Sequence, residues 1–317
     1  DHGIRDAQES RGLGDVYKRQ GNIALEVKDF GPKDNNPLIM ISGYGSQLID
    51  WPKSFINKLI KYKIRVIIFD NRDVGLSHKF SGESIEDPKL IWRYSYSKEK
   101  LNKETKKPKI PYTLTNMAED CVNILDALDI DKAHILGTSM GGMIAQLVAF
   151  NFSKRCKSLI SVMSTSGNPE LPRPSREVIE GLNHQPKSSN KEDVIENNLM
   201  TRKLWASPKF STSEGILKEN FSYRYDRMYY PEGLIRQYAA IGDDGDRSKR
   251  LQKISVPTLV LHGASDNLVP VEAGIDTQRN ISGSKIEILD GWGHDLPEGT
   301  HDWIVDKIHN HIQSCNE

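Results

Sequence analysis

A single serine lies between glycines in the stretch GTSMGG, which spans residues 137–142. The apolar run AHIL precedes it and MIAQLVAFNF, apolar at a helical period, follows it, so Ser139 falls at a strand-to-helix junction. In a G-x-S-x-G turn at such a junction the serine is strained, and glycines stand where bulkier residues would collide with the flanking elements. The pattern predicts a nucleophilic hydroxyl above the end of a strand. The alternative is a turn of small residues that only lets a helix pack closely on a strand.

A serine hydroxyl is a weak nucleophile at neutral pH and needs a neighbouring base that a carboxylate orients. Asp266 follows the apolar run VPTLVLHG, and His294 lies in a glycine-flanked loop after SKIEILDG. Because the carboxyl ends of parallel strands meet at one edge of a sheet, we expect Ser139, Asp266 and His294 to lie together. Asp266 has an alternative interpretation as the cap of the following turn. Asp290 is a second candidate for the acid, but the chain would have to fold back to bring it to His294.

Acyl transfer also needs two N–H donors for the oxyanion of the tetrahedral intermediate. The backbone of Met140, directly after the serine, is the first candidate. The second is the backbone of Tyr44 in the loop SGYGSQLIDW, where Gly43 would allow a close approach to the substrate. A plain glycine-rich turn is the alternative for this loop.

The amino-acid composition limits the kinds of molecule that the chain is expected to bind. Lys and Arg together number 43, as do Asp and Glu, so the chain has no net field that would attract nucleic acid or an anionic membrane. No run of 18 apolar residues and no signal-peptide pattern occurs. The three cysteines lack disulfide or metal-ligand spacing. We therefore expect a cytoplasmic protein without a bound metal that acts on a small molecule as a monomer or homodimer.

Short apolar runs alternate with amphipathic stretches from about residue 21, the pattern of βα units around a mostly parallel sheet. The runs predicted to form strands are NIALEVKDF, PLIMIS, IRVIIFD, KAHILG, CKSLISVMST, VPTLVLHG and SKIEILDG. Residues 1–20 are polar and without apolar period, and we interpret them as a non-native or disordered leader. The predicted core comprises residues 21–167 and 246–317.

The composition of the sequence changes between residues 168 and 245. Polar helical segments rich in aromatic residues and arginine interrupt the alternation of apolar runs and amphipathic stretches there. We predict an inserted helical cap over this interval. The residues expected to contact substrate are Gly43 in the core and Trp205 and Tyr223 in the cap. Further aromatic residues predicted to wall the site are Phe221, Tyr225, Tyr229 and Tyr230. For any one of these rings, packing of the cap on the core is the competing interpretation.

Five stretches resemble the α/β-hydrolase superfamily: ISGYGSQLIDWP, FDNRDVGLS, HILGTSMGGMIAQ, LVLHGASDNLVP and GWGHDLP. The order of Ser139, Asp266 and His294 along the chain is that of the triad in this superfamily. More narrowly, GLIRQYAAI, GDRSKRL and GHDLP are similar to the bacterial branch that includes aclacinomycin methylesterase and related carboxylesterases. The resemblance implies a mostly parallel eight-stranded sheet flanked by helices, a helical cap between strands six and seven, and no cofactor.

The resulting hypothesis is a serine carboxylesterase that acts on small to medium acyl or methyl esters through an acyl-enzyme. Haloalkane dehalogenases and epoxide hydrolases of the same fold have an aspartate where this chain has Ser139. Two other triad chemistries stay open, namely hydrolysis of a carbon–carbon bond in a diketone and cofactor-free haloperoxidase activity. A third alternative is a member of the fold that binds a ligand without turnover.

Overall fold

The computed structural model describes residues 23–97, 101–102 and 104–315, so the leader expected at residues 1–20 lies outside the described residues. The strands of the described chain are β1 (Val27–Phe30), β2 (Asn36–Ile41), β3 (Ile64–Phe69), β4 (Ala133–Thr138), β5 (Cys156–Val162), β6 (Thr258–Gly263) and β7 (Lys285–Leu289). They form one sheet in the order β1-β3-β2-β4-β5-β6-β7. Each strand overlaps one of the seven runs predicted from the sequence and extends at most one residue beyond it.

The sheet is parallel apart from its first edge, where β1 pairs with β3 in the antiparallel direction. Every residue of β3, β4 and β6 is buried, as expected for parallel strands covered by helices on both faces. The sheet has seven strands within the described residues, so the eight implied by the resemblance are not found there. The sequence pattern itself predicted only seven strands, and the number eight was implied by the family resemblance.

Helices cover both faces of the sheet. They are α1 (Lys53–Lys61), α2 (Pro88–Tyr96), α3 (Leu114–Ala127), α4 (Met140–Asn151), α5 (Arg176–Asn183), α6 (Lys191–Arg202), α7 (Glu214–Arg227), α8 (Pro231–Asp244), α9 (Ser248–Leu251), α10 (Val271–Asn280) and α11 (His301–Ser314). Short 3-10 turns occur at Leu48–Asp50, Ser153–Arg155 and Glu298–Thr300.

The hydrophobic core consists of two clusters, one on each face of the sheet. Helices α3 and α4 contribute to the first cluster, and α1 and α11 to the second. The sequence of α3 explains why it forms: the Thr113 hydroxyl accepts a hydrogen bond from the N–H of Asn116, whose side chain accepts the N–H of Thr113 in return. These clusters hold the carboxyl ends of the strands in fixed positions.

Helices α5 to α8, here called the inserted helices, lie between β5 and β6 within the interval predicted for the cap. With seven strands in the sheet, the insertion follows the fifth strand rather than the sixth. Helix α2 packs against α8, and the indole of Trp92 stacks on the ring of Tyr238 with 5.0 Å between the ring centroids. The segment between β3 and α3 therefore supports the insertion.

Two buried ion pairs join the inserted helices to the turn that follows β3. Arg227 at the end of α7 pairs with Asp70 over 2.7 Å, and Arg236 in α8 pairs with Asp73 over 2.8 Å. Both carboxylates are fully buried. Removing one partner of a buried pair leaves an uncompensated charge, so these contacts fix where the inserted helices sit.

Candidate active site

Ser139 lies between the last residue of β4 and the first residue of α4, with a backbone φ of 55° and ψ of −120°. Positive φ is unfavourable for a residue with a side chain and persists only where the surroundings hold it. The Ser139 N–H donates to the Val162 carbonyl over 2.9 Å, and the Ser139 carbonyl accepts the Ser164 hydroxyl over 2.7 Å. The neighbouring strand β5 and the loop after it thus hold the strained turn that the GTSMGG pattern predicts.

The glycines around Ser139 stand where the chain has no room for a side chain. A Cβ on Gly137 would overlap the carbonyl of Gly141, and a Cβ on Gly141 would overlap the carbonyl of Ile41 in β2. The close approach of strand and helix therefore depends on both glycines. It brings the N-terminus of α4 directly behind the serine hydroxyl.

His294 and Asp266 reach Ser139 from the loops after β7 and β6. Nε2 of His294 lies 2.9 Å from the Ser139 Oγ, and Nδ1 lies 2.7 Å from Oδ2 of Asp266. An ionised carboxylate only accepts hydrogen bonds, so Nδ1 bears the proton and Nε2 is free to accept from the serine hydroxyl. The structure brings together the three residues that the sequence analysis placed at this edge of the sheet.

The carboxylate of Asp266 is buried but well provided with donors. Its Oδ1 accepts the N–H groups of Leu268 and Val269 over 2.9 and 2.8 Å, and the buried His262 lies 3.5 Å from Oδ2. Burial would raise the pKa of this carboxyl, but the facing imidazoles of His294 and His262 hold the pKa well below its usual range. Asp266 is therefore ionised at any pH at which the protein would work.

Asp290, the other candidate for the acid, lies on the surface and is paired with Lys209. Its side chain is 77% exposed. The hydrogen bond to His294 comes from Asp266, so the structure favours the assignment preferred from the sequence.

The two backbone donors expected for an oxyanion flank the serine. Met140 is the first residue of α4, where an N–H has no acceptor within the helix. Tyr44 follows Gly43, whose Cα is so near Ser139 that an added Cβ would lie 3.3 Å from the Ser139 Cβ. Within the described residues, the Tyr44 N–H donates no hydrogen bond to another protein group. Met140 therefore directly follows Ser139, and the loop that contains Tyr44 lies against it; their role as oxyanion donors stays a prediction.

A cavity of about 290 Å³ opens over Ser139 and His294. Gly43 and Trp205, two of the residues expected to contact substrate, line it together with Tyr44 and Phe221. Its roof comes from the inserted helices α5, α6 and α7 and its floor from the loops that follow β2, β4 and β7.

Tyr223, which the sequence predicts to contact substrate, is not among the residues that line this cavity. Its side chain is 62% exposed on α7. Phe221 and Arg224 of the same helix face the cavity, and a residue two positions after Phe221 points to the opposite side because successive helical residues are about 100° apart.

A second cavity of about 100 Å³ lies beside the first and shares Asn198, Phe221 and Arg224 with it. Tyr225, Tyr229 and Tyr230, which were predicted to wall the site, line this second cavity instead. The side chains that both cavities share form the partition between them.

The sequence analysis missed two arginines that line the larger cavity. Arg202 pairs with Asp295 over 2.7 Å, and Arg224 lies 3.7 Å from Asp50. The arginine-rich composition of the interval 168–245 was the available signal. It could not show which arginines face inward, because their carboxylate partners lie about 90 and 170 positions away in the sequence.

A sequence profile of the alpha/beta hydrolase fold matches residues 36–298. The chain belongs to this family. The turn at Ser139, the loop after β6 and the loop after β7 of this α/β hydrolase all fall within the matched range.

Curated relatives of this α/β hydrolase have different activities. The chain is 29% identical to 2-hydroxy-6-oxononadienedioate/2-hydroxy-6-oxononatrienedioate hydrolase 1 of Pseudomonas putida over 54% of its own length and 59% of that protein. It is 22% identical to rhodomycin D methylesterase DauP of Streptomyces sp. (strain C5) over 92% of its own length and 96% of that protein. Relatives thus include a methylesterase and a hydrolase of an oxo-dienedioate.

Solved structures share the fold of this α/β hydrolase. A meta-cleavage product hydrolase, CumD of Pseudomonas fluorescens IP01, matches with a TM-score of 0.68 and 17% identity, covering 92% of this chain and 95% of CumD. A thermophilic esterase of Thermogutta terrifontis matches with a TM-score of 0.65 and 20% identity, covering 97% of this chain and all of that one. At these identities the likeness concerns the fold.

No group of three or more His, Cys, Asp or Glu side chains in the described ranges could hold a metal ion. Among those same residues, no helix of this α/β hydrolase is both long enough and apolar enough to span a bilayer.

Proposed function

We propose that this α/β hydrolase is a serine carboxylesterase that acts on small to medium acyl or methyl esters. The observation that supports the proposal most is the hydrogen-bonded chain from the Ser139 hydroxyl through His294 to Asp266, at the floor of a cavity with two N–H groups beside it. A nucleophile, a base and an orienting carboxylate in this geometry are what acyl transfer requires.

In the proposed acylation step, Nε2 of His294 takes the proton of Ser139 as Oγ attacks the ester carbonyl carbon. The carbonyl oxygen becomes an oxyanion, which the N–H groups of Met140 and Tyr44 stabilise. The imidazolium of His294 forms next to the ionised Asp266 and then gives its proton to the departing alcohol.

Deacylation repeats the same transfers with water. His294 takes a proton from water, whose oxygen attacks the acyl carbon, and a second oxyanion forms in the same place. Its collapse breaks the bond to Ser139, whose Oγ recovers the proton, and releases a carboxylic acid. No cofactor is needed for any of these steps.

The charges of the cavity favour an uncharged ester over a dicarboxylate such as the substrate in the name of the P. putida relative. The cationic side chains that line the cavity, Arg202 and Arg224, each face a carboxylate of the protein, on Asp295 and Asp50. A doubly negative substrate would meet no unpaired cation among the described lining residues. Moving such a substrate from water into the cavity would cost free energy, because no protein charge would replace its lost hydration.

The experiment that tests the proposal compares ester and carbon–carbon hydrolysis by one preparation. Hydrolysis of p-nitrophenyl acetate, butyrate and palmitate and of a series of methyl esters is measured beside loss of absorbance of a 2-hydroxy-6-oxo-dienoate. We expect short p-nitrophenyl and methyl esters to be the better substrates, and Ser139→Ala to reduce kcat by roughly 10⁴ to 10⁶. Faster turnover of the dienoate, or full ester hydrolysis by folded Ser139→Ala, would refute it.

A further inference from the structure

The loop that contains the proposed donor Tyr44 is held in place by the inserted helices. The Gly45 N–H donates to Oε1 of Gln237 in α8 over 2.9 Å, and the Gly45 carbonyl accepts from a terminal nitrogen of Arg224 in α7 over 2.6 Å. The backbone N–H and carbonyl of Gly45 are therefore both hydrogen-bonded by side chains of the inserted helices.

Gln237 is completely buried and uses both ends of its amide. Besides accepting from Gly45, it donates from Nε2 to the carbonyl of Arg72, in the turn after β3, over 3.0 Å. The side chain thus ties the Tyr44 loop and the turn after β3 to α8 at a single point. Because a buried amide of this kind has no water to replace a lost partner, its geometry is fixed.

A second set of contacts joins the same loop to α7. Gln47 donates from Nε2 to the carbonyls of Arg224 and Met228 over 3.0 and 2.8 Å, and its Oε1 accepts from Arg227 over 2.7 Å. The loop and the end of α7 are therefore joined through both backbone and side-chain atoms.

The loop needs these contacts because its own sequence does not fix its conformation. Tyr44 stands between Gly43 and Gly45, and glycine allows many backbone conformations. Gly45 has a φ of +64°, and a Cβ there would lie 2.5 Å from Cδ2 of Leu234 in α8. An oxyanion donor is effective only when its N–H points at the developing charge, so something outside the loop must select one orientation.

We propose that Gln237 and Arg224 are positioning residues for catalysis: by binding the two polar groups of Gly45, they orient the Tyr44 N–H toward the oxyanion. The inference rests on the proposed function and extends it, because it gives the inserted helices a part in the rate of the chemical step as well as in the choice of substrate. Neither side chain needs to touch the reacting atoms for this effect.

Replacing Gln237 with Met, of similar length but without the amide, tests the proposal. Removing an oxyanion donor costs about 10² to 10³ in kcat, and loss of its orientation should cost part of that, about 10-fold to 100-fold. We expect kcat on p-nitrophenyl butyrate to fall by this factor with KM within about threefold of the wild type. The inhibition constant of butylboronic acid, which forms a tetrahedral adduct, should rise by a similar factor.

Active-site titration with a fluorophosphonate separates positioning from a structural effect. All kcat values are expressed per titrated site, so a partly unfolded preparation does not imitate slower chemistry. Gln252→Met, at an exposed glutamine that lines neither cavity, is the matched control and should behave as the wild type. If Gln237→Met gives no titratable sites, Arg224→Met decides, since that side chain is only partly buried and its loss should lower kcat in the same way.

Unchanged kcat per titrated site in the variant, with an unchanged boronate constant, would overturn the proposal, as would a rise in KM alone. Such a result would leave ester hydrolysis by the wild type intact, so the proposed function would stand. A wild type that neither hydrolyses esters nor binds the boronate would instead contradict the proposed function, and the positioning role with it.

Discussion

His294 donates a hydrogen bond from Nδ1 to Oδ2 of Asp266 over 2.7 Å, although the two residues stand 28 positions apart on different loops. A further backbone contact holds the histidine: its N–H donates to the carbonyl of Trp205, which follows α6, over 2.7 Å. The imidazole is therefore fixed by the core on one side and by the inserted segment on the other. This arrangement leaves Nε2 as the atom that can accept the proton of Ser139.

Replacing Asp266 with Asn should lower kcat by about 10³ to 10⁴, because an amide no longer selects the tautomer that leaves Nε2 unprotonated and cannot stabilise the imidazolium. The matched control is Asp290→Asn, which removes an exposed carboxylate that the sequence alone left as a competitor. Its kcat should equal that of the wild type. Steady-state kinetics on p-nitrophenyl butyrate measure both variants, and a large loss in Asp290→Asn would reverse the assignment.

Gly137→Ala should destabilise the protein by at least about 3 kcal/mol, because its Cβ would overlap the backbone of Gly141, which cannot rotate away. Gly215→Ala in α7 is the control. A Cβ at that position meets no atom within 4 Å, and alanine is the better helix former, so its stability should be unchanged or higher by up to about 1 kcal/mol. Urea unfolding followed by circular dichroism gives both values. Equal stability of Gly137→Ala and the wild type would contradict the packing described for the turn at Ser139.

Phe221→Ala should widen the range of acyl chains that the protein accepts. The ring of Phe221 is part of the partition between the cavities of about 290 and 100 Å³, and its removal would join them. Each further buried CH₂ contributes about 0.8 kcal/mol, so the ratio of kcat/KM for octanoate over acetate esters should rise at least about tenfold. The exposed Tyr223, replaced by Ala on the same helix, should leave the ratio unchanged. An unchanged ratio in Phe221→Ala would show that the second cavity is not open to the acyl chain.

Two buried histidines should make the protein less stable in mild acid. Burial, with Lys285 nearby, lowers the pKa of His311 to about 4, and burial, with Lys157 nearby, lowers the pKa of His134 to about 3. Their unfolded-state value is about 6.5, so below that pH the unfolded chain binds more protons and stability falls as the pH is lowered toward 4 and then 3.

The expected loss between pH 7 and pH 5 is about 2 kcal/mol for each of these histidines. His311→Leu should remove its share of the pH dependence. The free energy of unfolding in urea, measured at several pH values, makes the comparison. A pH dependence in His311→Leu as steep as that of the wild type would contradict the prediction.

The sequence was sufficient to predict most of the core. Parallel strands buried on both faces must be continuous apolar runs, as in β3, β4 and β6, and each of the seven predicted runs overlaps one of the seven strands. Ser139 could be located because the turn imposes strict local requirements on its glycines, and Asp266 and His294 because strand ends converge. Each of these features is specified by a few adjacent residues.

The lining of the cavity depends on contacts that adjacent residues do not specify. The sequence did not show which side of α7 faces the cavity, because the helix buries none of its residues completely and has no clear apolar face. Tyr223 was therefore expected to face the cavity, but it is exposed. Gln237 bonds to Gly45 from 192 positions away. No local pattern distinguishes such a glutamine from one on a solvated surface.

The most direct test of the account is the intact mass of the protein after incubation with a fluorophosphonate, followed by peptide mapping. Since Nε2 of His294 contacts the Ser139 hydroxyl and is proposed to activate it, we expect a single adduct on Ser139, formed within minutes, and no adduct on folded Ser139→Ala. Ser46 lines the same cavity and serves as the internal comparison. An adduct on Ser46, or none on the folded wild type, would contradict the claim that Ser139 is the nucleophile.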